Sequence, residues 1–197
     1  MSLSSTPCRA SINFRLRLRF AEAFRQARFG QTSRSFPLRE RLTARVLLFD
    51  PQGRILLMKG RLPNRPPSSA AWFTVGGGVE EGESVAQAAI REIVEETGFT
   101  QVELGPVVWT REGEGVLVSG ERVLFKESYL VARCAGGEPS RDGWADYETD
   151  LIDDIRWWSL DELAATADRV YPERFCELVG PVALGTYPDA PLEITVV

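Results

Sequence analysis

The sequence predicts an α/β fold: a mixed β-sheet with an amphipathic helix on one side and a C-terminal helix on the other. Three observations carry this. A helix pattern over 84–98, with a start and a stop signal, lies between apolar runs of strand length. Two of those runs, 43–49 and 54–59, flank the turn Asp50-Pro51-Gln52-Gly53 and read as a hairpin. Near the end, Ile155-Arg156-Trp157-Trp158 reads as a strand running into a second helix start at Ser159.

The chain has 197 residues, which suits one domain with a sizeable core. Its apolar and charged fractions are those of an ordinary globular protein, and no apolar run approaches a membrane span, so no membrane partner is expected. The cysteines, Cys8, Cys134 and Cys176, are widely spaced without a CxxC. They suggest neither a disulfide framework nor a zinc site, and a cytoplasmic, reducing setting is expected. Histidine is absent. Ser-His-Asp chemistry is therefore excluded, and a general base must be a carboxylate, lysine, tyrosine, cysteine or metal-bound hydroxide.

Charge divides the chain. Residues up to Arg45 carry ten arginines and two acids, Glu22 and Glu40, within an overall net charge of -5. A basic N-terminal extension (1–40), a catalytic domain (41–167) and a C-terminal extension (168–197) are expected. In the extension, Phe14 to Phe20 alternates apolar and basic residues, and Ala21 to Phe29 suits a short basic helix. This segment is either an RNA- or membrane-facing arm or a strand and helix packed on the domain.

After the hairpin comes a Pro-rich loop, 61–69, where Lys59, Arg61 and Arg65 supply positive charge for phosphates. A short strand, 71–75, leads into Gly76, Gly77 and Gly78. Beyond the central helix, 102–110 and 115–118 read as separate strands, and Ser119-Gly120 turns into a long strand, 122–133. A loop rich in glycine and acids (134–150) precedes the strand 155–158. Ser159 and Glu162 form a capping box for a helix to about Thr166, and a further short helix is expected over 171–179.

The central helix is defined by its ends. Ser84 is the N-cap with Gln87 as its capping-box partner, and Gly98 takes the left-handed position past Thr97. Helical spacing puts Ala86, Ala89, Ile90, Ile93 and Val94 on the face expected to pack on the sheet. It puts Glu92, Glu95 and Glu96 roughly opposite, with Arg91 four residues before Glu95. Glu92 and Glu96 are like charges one turn apart, which destabilises an isolated helix. They read either as part of a solvated acidic face or as ligands of a hard divalent cation such as magnesium or manganese.

The residues Gly77, Glu83, Arg91, Glu92, Ile93, Glu95, Glu96, Gly98 and Phe99 fill the pattern G-x5-E-x7-R-E-U-x-E-E-x-G-U, U being bulky and apolar. In this the chain resembles the Nudix hydrolases, over about residues 43–165. Val75 stands where most members carry proline. The resemblance implies an α/β/α sandwich, and hydrolysis of the pyrophosphate bond in a nucleoside diphosphate linked to another group. It implies Mg2+, with Mn2+ as the alternative, held by Glu92 and Glu96, with Glu95 and the Gly76 carbonyl as further ligands. Arg91 would orient the glutamates and Glu83 would brace the loop. The base is left open between Glu92, a loop carboxylate such as Glu148, and Glu127. Arg61, Trp109, Glu127 and Trp144 are candidates for substrate contact, the tryptophans by stacking on a base. Two other readings stand beside this one: a non-catalytic nucleotide-binding domain, and an RNA-associated decapping-type protein contacting nucleic acid through its basic segment. Homodimers are common among the proteins it resembles.

Overall fold

A computed structural model describes residues 38–61, 66–117, 119–144 and 151–194. The N-terminal extension lies outside these residues, apart from its last three. Strand β1 (Arg39–Phe49) is the spine of the sheet. It pairs in parallel with β5 (Arg122–Cys134) along its whole length, from Arg39 opposite Val123 to Phe49 opposite Arg133. The expected hairpin joins β1 to β2 (Ile55–Gly60), antiparallel at Phe49 and Ile55. The Asp50 carboxylate holds its turn, accepting the Gln52 and Arg54 backbone N–H groups at 3.0 and 2.8 Å.

Strand β2 also pairs with β3 (Ala71–Thr74) and β6 (Ile152–Trp158), both antiparallel. Outside β5 lie β4 (Val102–Val116) and the short β7 (Leu192–Glu193). The result is a seven-stranded mixed sheet, ordered β3-β2-β1-β5-β4-β7, with β6 on β2. Strand β4 is a single strand where two were expected. Its polar stretch did not read as strand, but cross-strand charges hold it in the sheet: Glu114 pairs with Arg122 at 2.6 Å, and Glu112 with Lys126 at 3.6 Å.

Past β3 the chain stays beside β1. Val46 N–H donates to the Val75 carbonyl at 2.8 Å, Ala44 N–H to Gly77 at 2.9 Å, and Val79 N–H to Leu42 at 3.0 Å. The glycine segment is thus fastened to the spine of the sheet.

Strand alternation produces two cores. Ala44, Val46, Leu48, Leu56, Met58, Leu130 and Ala132 face one way and receive α1 (Val85–Thr97) through Ala88, Ala89 and Ile93. Leu47, Phe49, Ile55, Leu57, Tyr129 and Val131 face the other way. They receive Leu163 of α2 (Leu160–Ala165), and Phe175, Val179 and Val182 of α3 (Phe175–Ala183). The fold is therefore an α/β/α sandwich. Helix α3 begins later than expected, because Pro172 to Arg174 form a turn, and it belongs to the same core as the strands.

Both capping boxes form, at Ser84 with Gln87 and at Ser159 with Glu162, and Gly98 is left-handed with φ 74. The packing face of α1 differs from the expectation. Ile90 and Val94 are 43% and 38% exposed and Ala86 is exposed, whereas Glu92 and Glu96 are 1% and 3% exposed. Helical geometry explains the difference: at about 100° per residue, Glu92 lies close above Ala88 and Glu96 above Ala89. The two alanines let α1 approach the sheet closely and carry the glutamates in with them.

Replacing Ile93 by Ala is expected to cost about 2–5 kcal/mol, and Ile90 by Ala within about 0.5 kcal/mol. Urea unfolding of both variants checks this; comparable losses would restore the face expected from the sequence.

Candidate active site

The Gly76 peptide lies where α1 meets the sheet. Its N–H donates to Glu96 Oε2 at 2.9 Å, and its carbonyl accepts from Arg45 Nη1 at 3.1 Å. Its φ is +133, and a Cβ there would collide with the Ala44 carbonyl, so only glycine fits. At Gly77 a Cβ would lie 2.5 Å from Glu92 Oε1. Gly77 therefore admits the Glu92 carboxylate against the backbone, and Gly76 lets the segment lie close on β1.

Arg91 organises the rest of α1. Its Nε and Nη2 donate to the two Glu83 oxygens, each at 2.8 Å, and Nη2 also reaches the Gly78 carbonyl at 3.0 Å. Nη1 donates to Glu92 at 2.6 Å and to Glu95 at 3.2 Å. Burial disfavours this guanidinium's charge, but the hydrogen bonds to Glu83 and Glu92 outweigh it and raise the pKa further above the ordinary arginine value. Glu83 in turn accepts the Glu80 N–H at 2.9 Å, which ties the acidic turn to the helix. The chain itself thus relieves part of the charge conflict between Glu92 and Glu96, through Arg91 for one and the Gly76 N–H for the other.

The donors here fit a hard divalent cation. Glu92, Glu95, Glu96 and the Gly76 carbonyl are oxygens on one helix and the adjoining loop, and the three carboxylates outnumber Arg91. Among the described residues no three His, Cys, Asp or Glu side chains already form a cation cage. Arg91 holds Glu92 and Glu95 to its own fork instead.

Across the sheet lies a second polar group. Glu127 Oε1 accepts from Arg45 Nε at 3.1 Å, and Oε2 accepts from Arg111 Nη1 at 2.6 Å and from the Tyr129 hydroxyl at 3.1 Å. All four residues are buried, and with Thr74 and Tyr171 they line a small cleft. Burial would raise the Glu127 pKa, but attraction from Arg45 and Arg111 overcomes this and holds it below the usual carboxylate value. Burial, then Glu127, push the Tyr129 hydroxyl well above its ordinary pKa, so it remains a donor.

Several expectations change. Glu127, a candidate base and substrate contact, is buried with both oxygens engaged by Arg45, Arg111 and Tyr129. Trp109 is 2% exposed and packed between Tyr129 and Phe175, so it is a core residue and not a stacking platform. Trp144 donates its ring N–H to the Glu96 carbonyl at 2.8 Å, and Arg141 lies over its ring, which braces the end of α1. Lys59 is held by Asp168 at 2.9 Å. The Arg61 backbone N–H donates to the Leu151 carbonyl at 3.0 Å. Glu148 and Arg65 lie outside the described residues. Arg45, Arg111 and Tyr129 were not singled out from the sequence. A usable signal was Arg45 itself, a charge within the otherwise apolar run of β1.

Because the Glu127 pKa is depressed, its stabilising contribution is present above the ordinary value of 4.5 and is lost as pH falls through the lower folded value. The stability gap between the parent and Glu127→Gln is expected to be widest near neutrality and to shrink in acid. Unfolding curves at a series of pH values measure it; a gap independent of pH would count against this charge assignment.

The NUDIX domain profile matches residues 39–178. The RNA pyrophosphohydrolase of Caulobacter vibrioides is 36% identical over 126 residues, covering 59% of this chain and 70% of the relative. The oxidized purine nucleoside triphosphate hydrolase of Danio rerio is 30% identical over 128 residues, covering 61% and 78%. The crystal structure of the MutT protein from Methanosarcina mazei superposes with a TM-score of 0.51 at 19% identity, covering 74% of this chain and 94% of that one; this likeness concerns the fold. Among the described residues no helix is long and apolar enough to cross a membrane. The family generally uses a divalent metal, its enzymes hydrolyse pyrophosphate bonds, and this chain is a Nudix pyrophosphohydrolase belonging to that family.

Proposed function

We propose that the chain cleaves the pyrophosphate bond of a nucleotide-type substrate with Mg2+, or Mn2+ in its place. The cation would be held by Glu92, Glu96 and the Gly76 carbonyl, with Glu95 as a further ligand. The observation that carries this reading is the burial of Glu92 and Glu96 against the glycine segment, at 1% and 3% exposure. Carboxylates are withdrawn from water in this way only where partners offset the desolvation.

When bound, a divalent cation neutralises phosphate charge and lowers the pKa of a coordinated water. The chain's own residues would position the reactants. Arg91 fixes the carboxylate rotamers and ties them to the Gly78 carbonyl. Glu83 holds Arg91 in place and closes the acidic turn. With no histidine in the chain, the proton would pass to a carboxylate, for which Glu92 is the described candidate and Glu148 the loop candidate.

RNA is the second substrate class considered. It is favoured by the name of the Caulobacter relative and by the seven arginines before residue 38. A reducing, cytoplasmic setting agrees with Cys134 and Cys176, which are both free thiols.

The test is a substrate panel with Mg2+: nucleoside triphosphates, ADP-ribose, NADH, dinucleoside polyphosphates, CoA, and capped and 5′-triphosphorylated RNA. Release of phosphate, pyrophosphate or nucleotide is expected from at least one of them. Glu96→Gln is expected to lose about 100-fold or more, since even the outer partners of metal ligands are worth about 10–100-fold. A folded protein inert on the whole panel, or full activity in Glu96→Gln, would contradict the proposal.

A further inference from the structure

Gly76 joins two charged groups that lie on opposite faces of the sheet. Its N–H is bound to Glu96 of α1, and its carbonyl to Arg45, whose Nε is bound to Glu127. The Arg45 and Glu127 side chains are 6% and 3% exposed, and that of Arg111 is 9% exposed. With Tyr129 protonated, two arginines and one carboxylate leave this buried group with a single net positive charge. That charge sits beside the carbonyl read above as a cation ligand.

We propose that Glu127 is a positioning residue for the cation site across the sheet. By balancing Arg45 and Arg111, it lets Arg45 hold the Gly76 carbonyl without driving a divalent cation away. This rests on the cation site named under Proposed function.

A carbonyl oxygen has two lone pairs. Arg45 takes one, on the β-sheet side, and the other is left for a ligand on the α1 side. In a low-dielectric interior an added charge near a dication is strongly felt. Without the Glu127 charge, two uncompensated guanidinium groups would face the site. Arg45 would still grip Gly76, but its field would repel the ion. Arginine suits this role because its planar fork reaches Glu127 through Nε and Gly76 through Nη1.

The experiment measures Mn2+ affinity directly, from the paramagnetic resonance signal of free Mn2+, on full-length variants whose folding is checked by circular dichroism. Glu127→Gln is expected to bind Mn2+ about tenfold more weakly or worse. Arg111→Met removes one positive charge and should bind at least as tightly as the parent. The double variant, Arg111→Met with Glu127→Gln, restores the parental net charge and should recover affinity to within about threefold. A purely structural role for Glu127 would instead weaken binding in Arg111→Met as well, because that variant also breaks the buried pair.

Parental affinity in folded Glu127→Gln, or a double variant as weak as Glu127→Gln, overturns the proposal. Should Glu127→Gln fail to fold, weakened binding in Arg111→Met overturns it instead. Glu96→Gln serves as the control. If it binds Mn2+ like the parent, the cation-site reading itself has failed; if it loses Mn2+ while Glu127→Gln does not, only the role of Glu127 has.

Discussion

The site depends on one residue, Gly76, whose two flanking peptide groups are held from both sides. The Gly76 N–H is bound to a carboxylate of α1, and the Gly76 carbonyl to an arginine of β1. Hydrogen bonds to charged groups contribute about 1.5–3 kcal/mol each, and more is lost when one buried partner is removed. Here they also locate the helix. Glu96 cannot move away from the sheet without stranding the Gly76 N–H, and Gly76 cannot leave β1 without releasing Arg45. The backbone bonds of Val75 and Gly77 to β1 keep the segment in register meanwhile.

Around Gly76 the protein buries charge on both faces of the sheet. On the α1 face Arg91 reaches Glu83, Glu92, Glu95 and the Gly78 carbonyl; on the other, Arg45 and Arg111 enclose Glu127. Such networks are costly to desolvate and are tolerated when nearly every donor and acceptor finds a partner. Three guanidinium groups meet this demand, because each offers several fixed donors where lysine offers a single point charge. The alanines at 88 and 89 and the glycines at 76 and 77 provide the space. They bring helix and loop backbone close enough for short carboxylate contacts.

Features with local causes were legible in the sequence. Ser84, Gln87, Ser159, Glu162 and Gly98 act on their own helix ends, and each does what its side chain or its backbone freedom dictates. The Asp50 turn is likewise local. The face of α1 was misread because hydrophobicity assigns Ile90 and Val94 to the interior, while the fold places Glu92 and Glu96 there. That choice reflects the site and not the helix alone. The Arg45–Glu127 pair was illegible for another reason. Its members are 82 residues apart and meet through the parallel register of β1 on β5, which no short-range pattern encodes. Trp109 shows the same limit: whether an aromatic lines a cleft or a core depends on α3 packing over it.

Membership of the Nudix family sets the reaction class, and the proposal is that the reaction takes place at the buried carboxylates beside the glycine segment. The most direct measurement of that central claim is anomalous diffraction from crystals soaked in Mn2+. The account places a peak between Glu92, Glu96 and the Gly76 carbonyl, with Arg45 still bound to Gly76. A Mn2+ peak at another site in active protein, with Glu92 and Glu96 uncoordinated, would contradict it.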